Sequence, residues 1–131
     1  MRLFLFIGFL ITGIFSSAGD TTVINGAKPK ILYGTASFYS NSFNGKKTAN
    51  GEIYSHKKMT AACNVLPLGT WIRVTNLRNG KSVVVKTNDR LHSRMKRVVD
   101  LSREAAEKLG YVKSGLTRVR VEVIGKKKPE K

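Results

Sequence analysis

A chain of 131 residues is long enough for one domain, and its charge indicates an anionic partner. It carries 24 Lys and Arg against 8 Asp and Glu, a formal net charge of +16, which favours nucleic acid, anionic lipid surfaces or an anionic polymer of the cell envelope. A single cysteine, Cys63, excludes an internal disulfide and is more typical of a buried small hydrophobe than of a nucleophile. The two histidines, His56 and His92, lack the paired spacing of a metal site, so no metal is predicted.

The first residues are typical of a secretory signal peptide. One basic residue, Arg2, precedes an apolar run from Leu3 to Phe15, and small residues follow at 16–18. The alternative is a membrane anchor, but the apolar run is shorter than the about 18–20 residues of a spanning helix. We therefore predict that residues 1–18 are a signal peptide cleaved after Ala18, with no stable membrane anchor afterwards.

Composition divides the rest of the chain into three parts. Residues 19–30 are polar, with glycine and proline, and predict a linker; residues 31–125 predict the folded domain; residues 126–131, KKKPEK, predict a basic tail. Export argues against nucleic acid as the partner. We predict an exported protein, periplasmic or secreted, and expect a monomer.

Within the domain, strand patterns dominate. β-branched and aromatic residues fill Ile31–Tyr39, and the runs Trp71–Leu77 and Lys81–Thr87 are equally rich in strand formers. Thr117–Ile124 alternates valines with charged side chains, which is typical of a half-buried strand.

An Asn-Gly pair at positions 79 and 80 predicts a tight hairpin between the two central runs, since both turn residues take positive φ. With these two as the loop, Val74 pairs with Val85 and Ile72 with Thr87, and the apolar side chains fall largely on one face.

One short α-helix is predicted near the end of the domain. Ser102 is a good N-cap, Glu104 and Lys108 match the helix dipole, and Gly110 ends the helix. Asp100 is expected to support the helix start. Several strands, one helix and glycine-marked turns predict a small, mostly antiparallel β-barrel or sandwich, and the pattern alone does not choose between them.

Carboxylates are the remaining candidates for chemistry, because no nucleotide-binding glycine loop, cofactor motif or nucleophile triad is present. Cleavage of a glycosidic bond needs a carboxylic acid to protonate the leaving oxygen. Glu52 lies on a glycine-bearing turn and Asp89 follows the second hairpin strand, so these two form the natural pair. Spacing alone leaves alternatives open: Asp89 as a salt-bridge partner of Arg90 or Arg94, and Glu52 as an exposed turn residue.

Three ordered segments resemble the rare lipoprotein A (RlpA) family of septal lytic transglycosylases. They are GTASFYSNSFNGKKTANGEIY, TAACNVLPLGTWIRVTNLRNGKSVVVKTNDR and RVVDLSREAAEKLGY. The match runs from about Gly34 to Gly110. The resemblance implies a six-stranded double-psi β-barrel with one short α-helix, a fold shared with expansins and some endoglucanases. It also implies a peptidoglycan substrate, with a preference for glycan strands that lack stem peptides.

The resemblance places the family's catalytic aspartate, in its NDR motif, on Asp89 and its acidic partner, in the ANGE motif, on Glu52. Two positions depart from the family pattern. Cys63 stands where the TAAH motif has a histidine, and Leu91-His92 replace the glycine and proline of NDRGPF. His92 is a candidate to compensate for the missing histidine.

The resemblance implies an endolytic transglycosylase that cleaves the β-1,4 bond between N-acetylmuramic acid and N-acetylglucosamine and leaves 1,6-anhydro ends, without a cofactor. Asp89 would act as acid and then as base, and Glu52 would orient the sugar or stabilise positive charge at the anomeric carbon. The alternative is a non-catalytic, expansin-like module that binds peptidoglycan or another polysaccharide. Candidate substrate-binding residues are Tyr39, Asn50, Tyr54, Asn88, His92 and Cys63.

Overall fold

A computed structural model describes residues 30–130. The predicted signal peptide and nearly all of the predicted linker lie outside these residues. The elements are β1 (Ile31–Phe38), β2 (Thr60–Ala62), β3 (Trp71–Asn76), β4 (Ser82–Asp89), β5 (Val99–Leu101), α1 (Arg103–Leu109) and β6 (Thr117–Gly125), with one 3-10 turn at Asn41–Phe43.

The strands form a closed barrel in the order β1-β5-β2-β4-β3-β6. The β1–β5 and β2–β4 pairs are parallel, and the other neighbours are antiparallel. Closure gives every strand two neighbours, and the parallel pairs require long crossover connections. The predicted six-stranded barrel is confirmed, and the choice between barrel and sandwich is settled in favour of the barrel.

The predicted register of the central hairpin is wrong by two residues. Val74 pairs with Val83, and Ile72 pairs with Val85. The backbone N–H of Asn76 donates to Lys81 O at 2.8 Å, so the turn runs from Leu77 to Gly80 rather than over two residues. A shift of two positions keeps every side chain on its face, which is why the valines still point inward.

The side chain of Asn76 explains the longer turn. Its Nδ2 donates to the carbonyl of Leu109 at the end of α1, and its Oδ1 accepts from Thr117 Oγ1 and Arg78 N–H. These tertiary bonds satisfy a buried amide that would otherwise be costly. The hairpin is therefore adapted to the helix end and to β6, neither of which is adjacent in sequence.

The barrel interior is aliphatic. Ile72, Val74, Val85, Val119 and Val121 have no exposed surface, and each contributes about 1.5–3 kcal/mol by burial. Cys63 belongs to the same core cluster, as do Ala105, Ala106 and Leu109 of α1.

The helix caps are as predicted. Ser102 Oγ accepts from Ala105 N–H, and Gly110 takes φ +81° at the helix end. Asp100 does not take part in this cap; it lies within β5. In the described part of the chain, no helix is long and apolar enough to cross a membrane.

Candidate active site

A cavity of about 460 Å³ lies over the β5-β2-β4 part of the barrel. The segment after β1 forms one wall, and the segment between β4 and β5 forms the other. Ala62 is the floor: in the strand ladder it pairs with Asp89 of β4 on one side and with Asp100 of β5 on the other. A small residue between two carboxylates leaves room for a ligand. The cavity is lined in part by Phe38, Tyr39, Phe43, Asp89, His92 and Asp100.

A β-bulge turns Asp89 toward this cavity. Ala61 pairs with Thr87 and Ala62 with Asp89, so Asn88 is an extra residue in β4. Strict alternation would place Asp89 on the same face as Thr87, which has no exposed surface. Bulges re-aim side chains next to active sites, and this one directs Asp89 out of the core.

Asn88 shows that the bulge has an energetic cost. Its side chain is 1% exposed, and among the described residues its Oδ1 has no hydrogen-bond partner. An unsatisfied buried acceptor costs about 1–3 kcal/mol. The other end of the amide is satisfied, because Asn88 Nδ2 donates to Glu52 Oε1.

The Asp89 carboxylate is held by three donors. Oδ1 accepts from the backbone N–H of Ala49 at 2.9 Å and of Arg90 at 2.8 Å, and Oδ2 accepts from the Tyr39 hydroxyl at 2.6 Å. The Arg90 guanidinium instead donates to the carbonyls of Cys63 and Leu66. Within residues 30–130, Asp89 forms no salt bridge, so the alternative of an ion pair with a neighbouring arginine does not describe its setting.

Tyr39 is the aromatic residue closest to this carboxylate. Its ring stacks on Tyr54 at 4.0 Å between centroids and makes a T-shaped contact with Phe43 at 5.5 Å between centroids. Burial, reinforced by the hydrogen bond to Asp89, raises the pKa of the Tyr39 hydroxyl well above its ordinary value, so Tyr39 remains a neutral donor.

Tyr54 lies behind Tyr39 rather than in the cavity. It is 2% exposed, and its hydroxyl bonds to His56 Nδ1 at 2.7 Å and accepts from the N–H of Arg103. The structure therefore brings Tyr39 to the ligand space, and Tyr54 supports it from below.

Glu52 does not line the cavity that contains Asp89. Its Oε1 accepts from Asn88 Nδ2 at 2.9 Å, and its Oε2 accepts from Lys86 Nζ at 3.1 Å. The hydrogen bond from Asn88, followed by that from Lys86, lowers the pKa of Glu52 to about 2. Glu52 is thus ionised and bonds to Asn88, the bulge residue that directly precedes Asp89.

The other predicted site residues are dispersed. Asn50 is exposed, and its Oδ1 closes a turn by accepting from Thr48 Oγ1 and Glu52 N–H. The Cys63 side chain is fully buried, although its backbone N–H bonds to Asp89 O. His92 does line the cavity, on the loop that follows Asp89.

Asp100 and Arg97 were not expected in the cavity. Arg97 Nε donates to Asp100 Oδ1 at 2.8 Å, and both side chains line the ligand space. The sequence signal was present: Val99 and Leu101 are core residues, so alternation directs Asp100 to the opposite face. Phe43, which is 46% exposed, is a further aromatic surface that the sequence did not single out.

The closed six-stranded barrel, with a carboxylate in an aromatic-lined cavity on its surface, defines this protein as a double-psi β-barrel. Residues 32–121 match the model of the family described as lytic transglycolase, and the chain belongs to that family. The resemblance to the RlpA family is thereby confirmed.

Similar proteins agree with this assignment. The endolytic peptidoglycan transglycosylase RlpA of Pseudomonas aeruginosa (strain UCBPP-PA14) is 52% identical over 101 residues, which are 77% of this chain and 30% of that protein. The chain thus spans less than a third of that relative's length.

Two solved structures share the fold. A Clavibacter michiganensis expansin matches with a TM-score of 0.59 and 21% identity, over 78% of this chain and 53% of the expansin. A Streptomyces papain inhibitor matches with a TM-score of 0.58 and 20% identity, over 72% of this chain and 96% of the inhibitor. At such identities the likeness concerns the fold alone.

Proposed function

We propose that this protein is an endolytic peptidoglycan lytic transglycosylase. It cleaves the β-1,4 bond between N-acetylmuramic acid and N-acetylglucosamine, leaves 1,6-anhydro ends and prefers glycan strands that lack stem peptides. The observation that carries the proposal is Asp89, which a β-bulge presents to a cavity with aromatic walls. The 52% identity to a protein named for this activity supports it.

The reaction uses Asp89 twice. In its acid form, the carboxyl donates a proton to the glycosidic oxygen as the bond to the anomeric carbon breaks. The resulting carboxylate takes the proton of the muramyl 6-hydroxyl, whose oxygen closes on the anomeric carbon. The proton count of Asp89 is restored, no water is consumed, and the product is a 1,6-anhydro ring.

In this proposal, Glu52 acts through the bulge rather than on the sugar. Its bond to the Asn88 amide fixes the residue that precedes Asp89. The walls of the cavity supply the sugar contacts: Phe43 offers exposed aromatic surface, and His92 lies at the rim. Cys63 and Tyr54, both buried, support these walls from within.

The proposal also places the protein outside the cytoplasm, in the periplasm or secreted, with glycan strands as its partner. The formal net charge of +16 suits an anionic envelope polymer.

Product analysis tests the proposal. The purified protein is incubated with peptidoglycan with and without stem peptides, and soluble products are analysed by mass spectrometry. We expect anhydro-muropeptides from the wild type and none from Asp89→Asn. Glu104→Gln, which changes an exposed helix carboxylate paired with Lys108, is the control and retains activity. Reducing ends in place of anhydro ends would show hydrolysis and refute the proposed reaction.

A second candidate is a polysaccharide-binding module without catalysis, as the fold shared with the expansin and the Cys63 departure indicate. Retention on insoluble peptidoglycan without any soluble product, equally in the wild type and Asp89→Asn, would favour this candidate.

A further inference from the structure

The two oxygens of Asp89 have different hydrogen-bonding partners. Oδ1 faces two backbone N–H groups, of Ala49 and Arg90. Backbone N–H groups only donate, so a proton on Oδ1 would displace at least one of them. Among residues 30–130, Oδ2 is bonded only by the Tyr39 hydroxyl, which can donate or accept.

We infer that Tyr39 is a positioning residue for the reaction: its hydroxyl confines the exchangeable proton of Asp89 to Oδ2 and holds that oxygen in place in both proton states. This inference rests on the proposed role of Asp89 as acid and base.

The Tyr39 hydroxyl is fixed well enough for this role. Its ring stacks on Tyr54 and makes a T-shaped contact with Phe43, and its backbone N–H donates to Leu101 O at 3.0 Å. Only the hydroxyl hydrogen has to rotate. When Asp89 is a carboxylate, Tyr39 donates to Oδ2; when Oδ2 carries the proton, the Tyr39 oxygen accepts from it until a glycosidic oxygen takes its place.

Proton transfer balances without loss from Tyr39. The Oδ2 proton passes to the glycosidic oxygen, and the Tyr39 O–H then donates to the new carboxylate. The 6-hydroxyl proton later returns to Oδ2. The raised pKa of Tyr39 agrees with a group that stays neutral throughout the cycle.

No other side chain in residues 30–130 offers Asp89 a hydrogen bond. The titratable and charged groups around it are otherwise engaged or turned elsewhere. Arg90 binds two carbonyls, Arg97 pairs with Asp100, His92 Nδ1 accepts from the N–H of Arg94, and Tyr54 lies behind the Tyr39 ring.

The test is Tyr39→Phe, which keeps the stacked ring and removes only the hydroxyl. Because a hydrogen bond to a charged group is stronger than one between neutral groups, we expect its loss to lower kcat roughly 10- to 100-fold, with KM nearly unchanged. The bond that Tyr39 donates to the charged carboxylate is stronger than the bond that it accepts from the neutral acid, so the loss of both favours the acid form. The alkaline limb of the kcat/KM profile therefore moves to higher pH.

Tyr111→Phe is the matched control. Its hydroxyl is also buried and donates to Ser37 O at 2.7 Å, but Tyr111 does not line the cavity. We expect this variant to melt at a lower temperature while keeping the wild-type kcat and pH profile.

The outcomes separate this inference from the function on which it rests. A wild-type chain that produces no anhydro ends overturns both. If the wild type is active and Tyr39→Phe matches it in kcat and in the alkaline limb, only the role of Tyr39 is wrong. Partial misfolding of the variant would lower the rate at every pH without moving the limb, and that result also counts against the inference.

Discussion

The Glu52–Lys86–Asn88 cluster provides a stability prediction with a defined pH window. Glu52→Gln removes the negative charge that accepts from Lys86 and Asn88. A pKa lowered from 4.5 to about 2 would correspond to about 3 kcal/mol if all of it contributed to stability. The Glu52 side chain is 41% exposed, however, and solvent screens such pairs strongly, so we expect about 1 kcal/mol.

The sign of the effect follows from the lowered pKa. The stabilisation is complete above the unfolded value of 4.5 and is lost as the pH falls toward about 2. Near neutral pH, the variant should melt about 4–8 °C below the wild type, as about 1 kcal/mol does in a domain of this size. The difference in melting temperature between the variant and the wild type should disappear as the pH approaches about 2.

Thermal unfolding of both proteins, followed by circular dichroism across this pH range, measures the effect. The control Glu104→Gln removes an exposed helix pair and should change stability by less than about 0.5 kcal/mol. Coincident melting of Glu52→Gln and wild type at neutral pH would refute the reasoning. A difference in melting temperature that stays constant as the pH falls to about 2 would refute it as well.

Two substitutions to larger side chains test the packing of β1 and the floor of the cavity. A Cβ at Gly34 would lie 2.8 Å from Val98 Cβ, so Gly34→Ala should cost about 1–3 kcal/mol in denaturant unfolding, and an unchanged midpoint would contradict the close approach of these residues. Ala62→Leu places a branched side chain on the floor between Asp89 and Asp100, and we expect at least a roughly tenfold loss of glycan cleavage. Full activity of Ala62→Leu would show that the substrate does not reach this floor.

Local chemistry made the helix predictable. Ser102 and Gly110 act through bonds and backbone angles within the helix itself, so their roles could be inferred from adjacent residues. The alternation of valines in β6 and the strand character of the central runs had the same local origin.

The hairpin register depended on distant residues. The Asn79-Gly80 signal favours a two-residue loop, but Asn76 binds the end of α1 and Thr117, and the turn lengthens to accommodate these bonds. A local signal was overridden by buried polar contacts that only the folded chain reveals.

The roles of the candidate site residues stay predictions, and their geometry could not be inferred from the sequence. Motif resemblance directed attention to Asp89 and Glu52, which the structure links through Asn88. The resemblance could not show that Asp89 lines the cavity while Glu52 lies outside it. This difference depends on a β-bulge, and an extra residue in a strand cannot be recognised from sequence spacing alone. The position of Asp100 before Ser102 favours a helix role, whereas its place in β5, paired with Ala62, directs it to the cavity.

The hydrogen bond between Tyr39 and Asp89 joins residues 50 positions apart, and β5 and β2 must both be in place for the cavity to have a floor. Such long-range pairing costs chain entropy before the contacts are gained. An unfolded chain therefore carries the aspartate but not the ligand space. The proposed activity thus depends on closure of the whole barrel, and a chain that keeps every motif but fails to close would have no site.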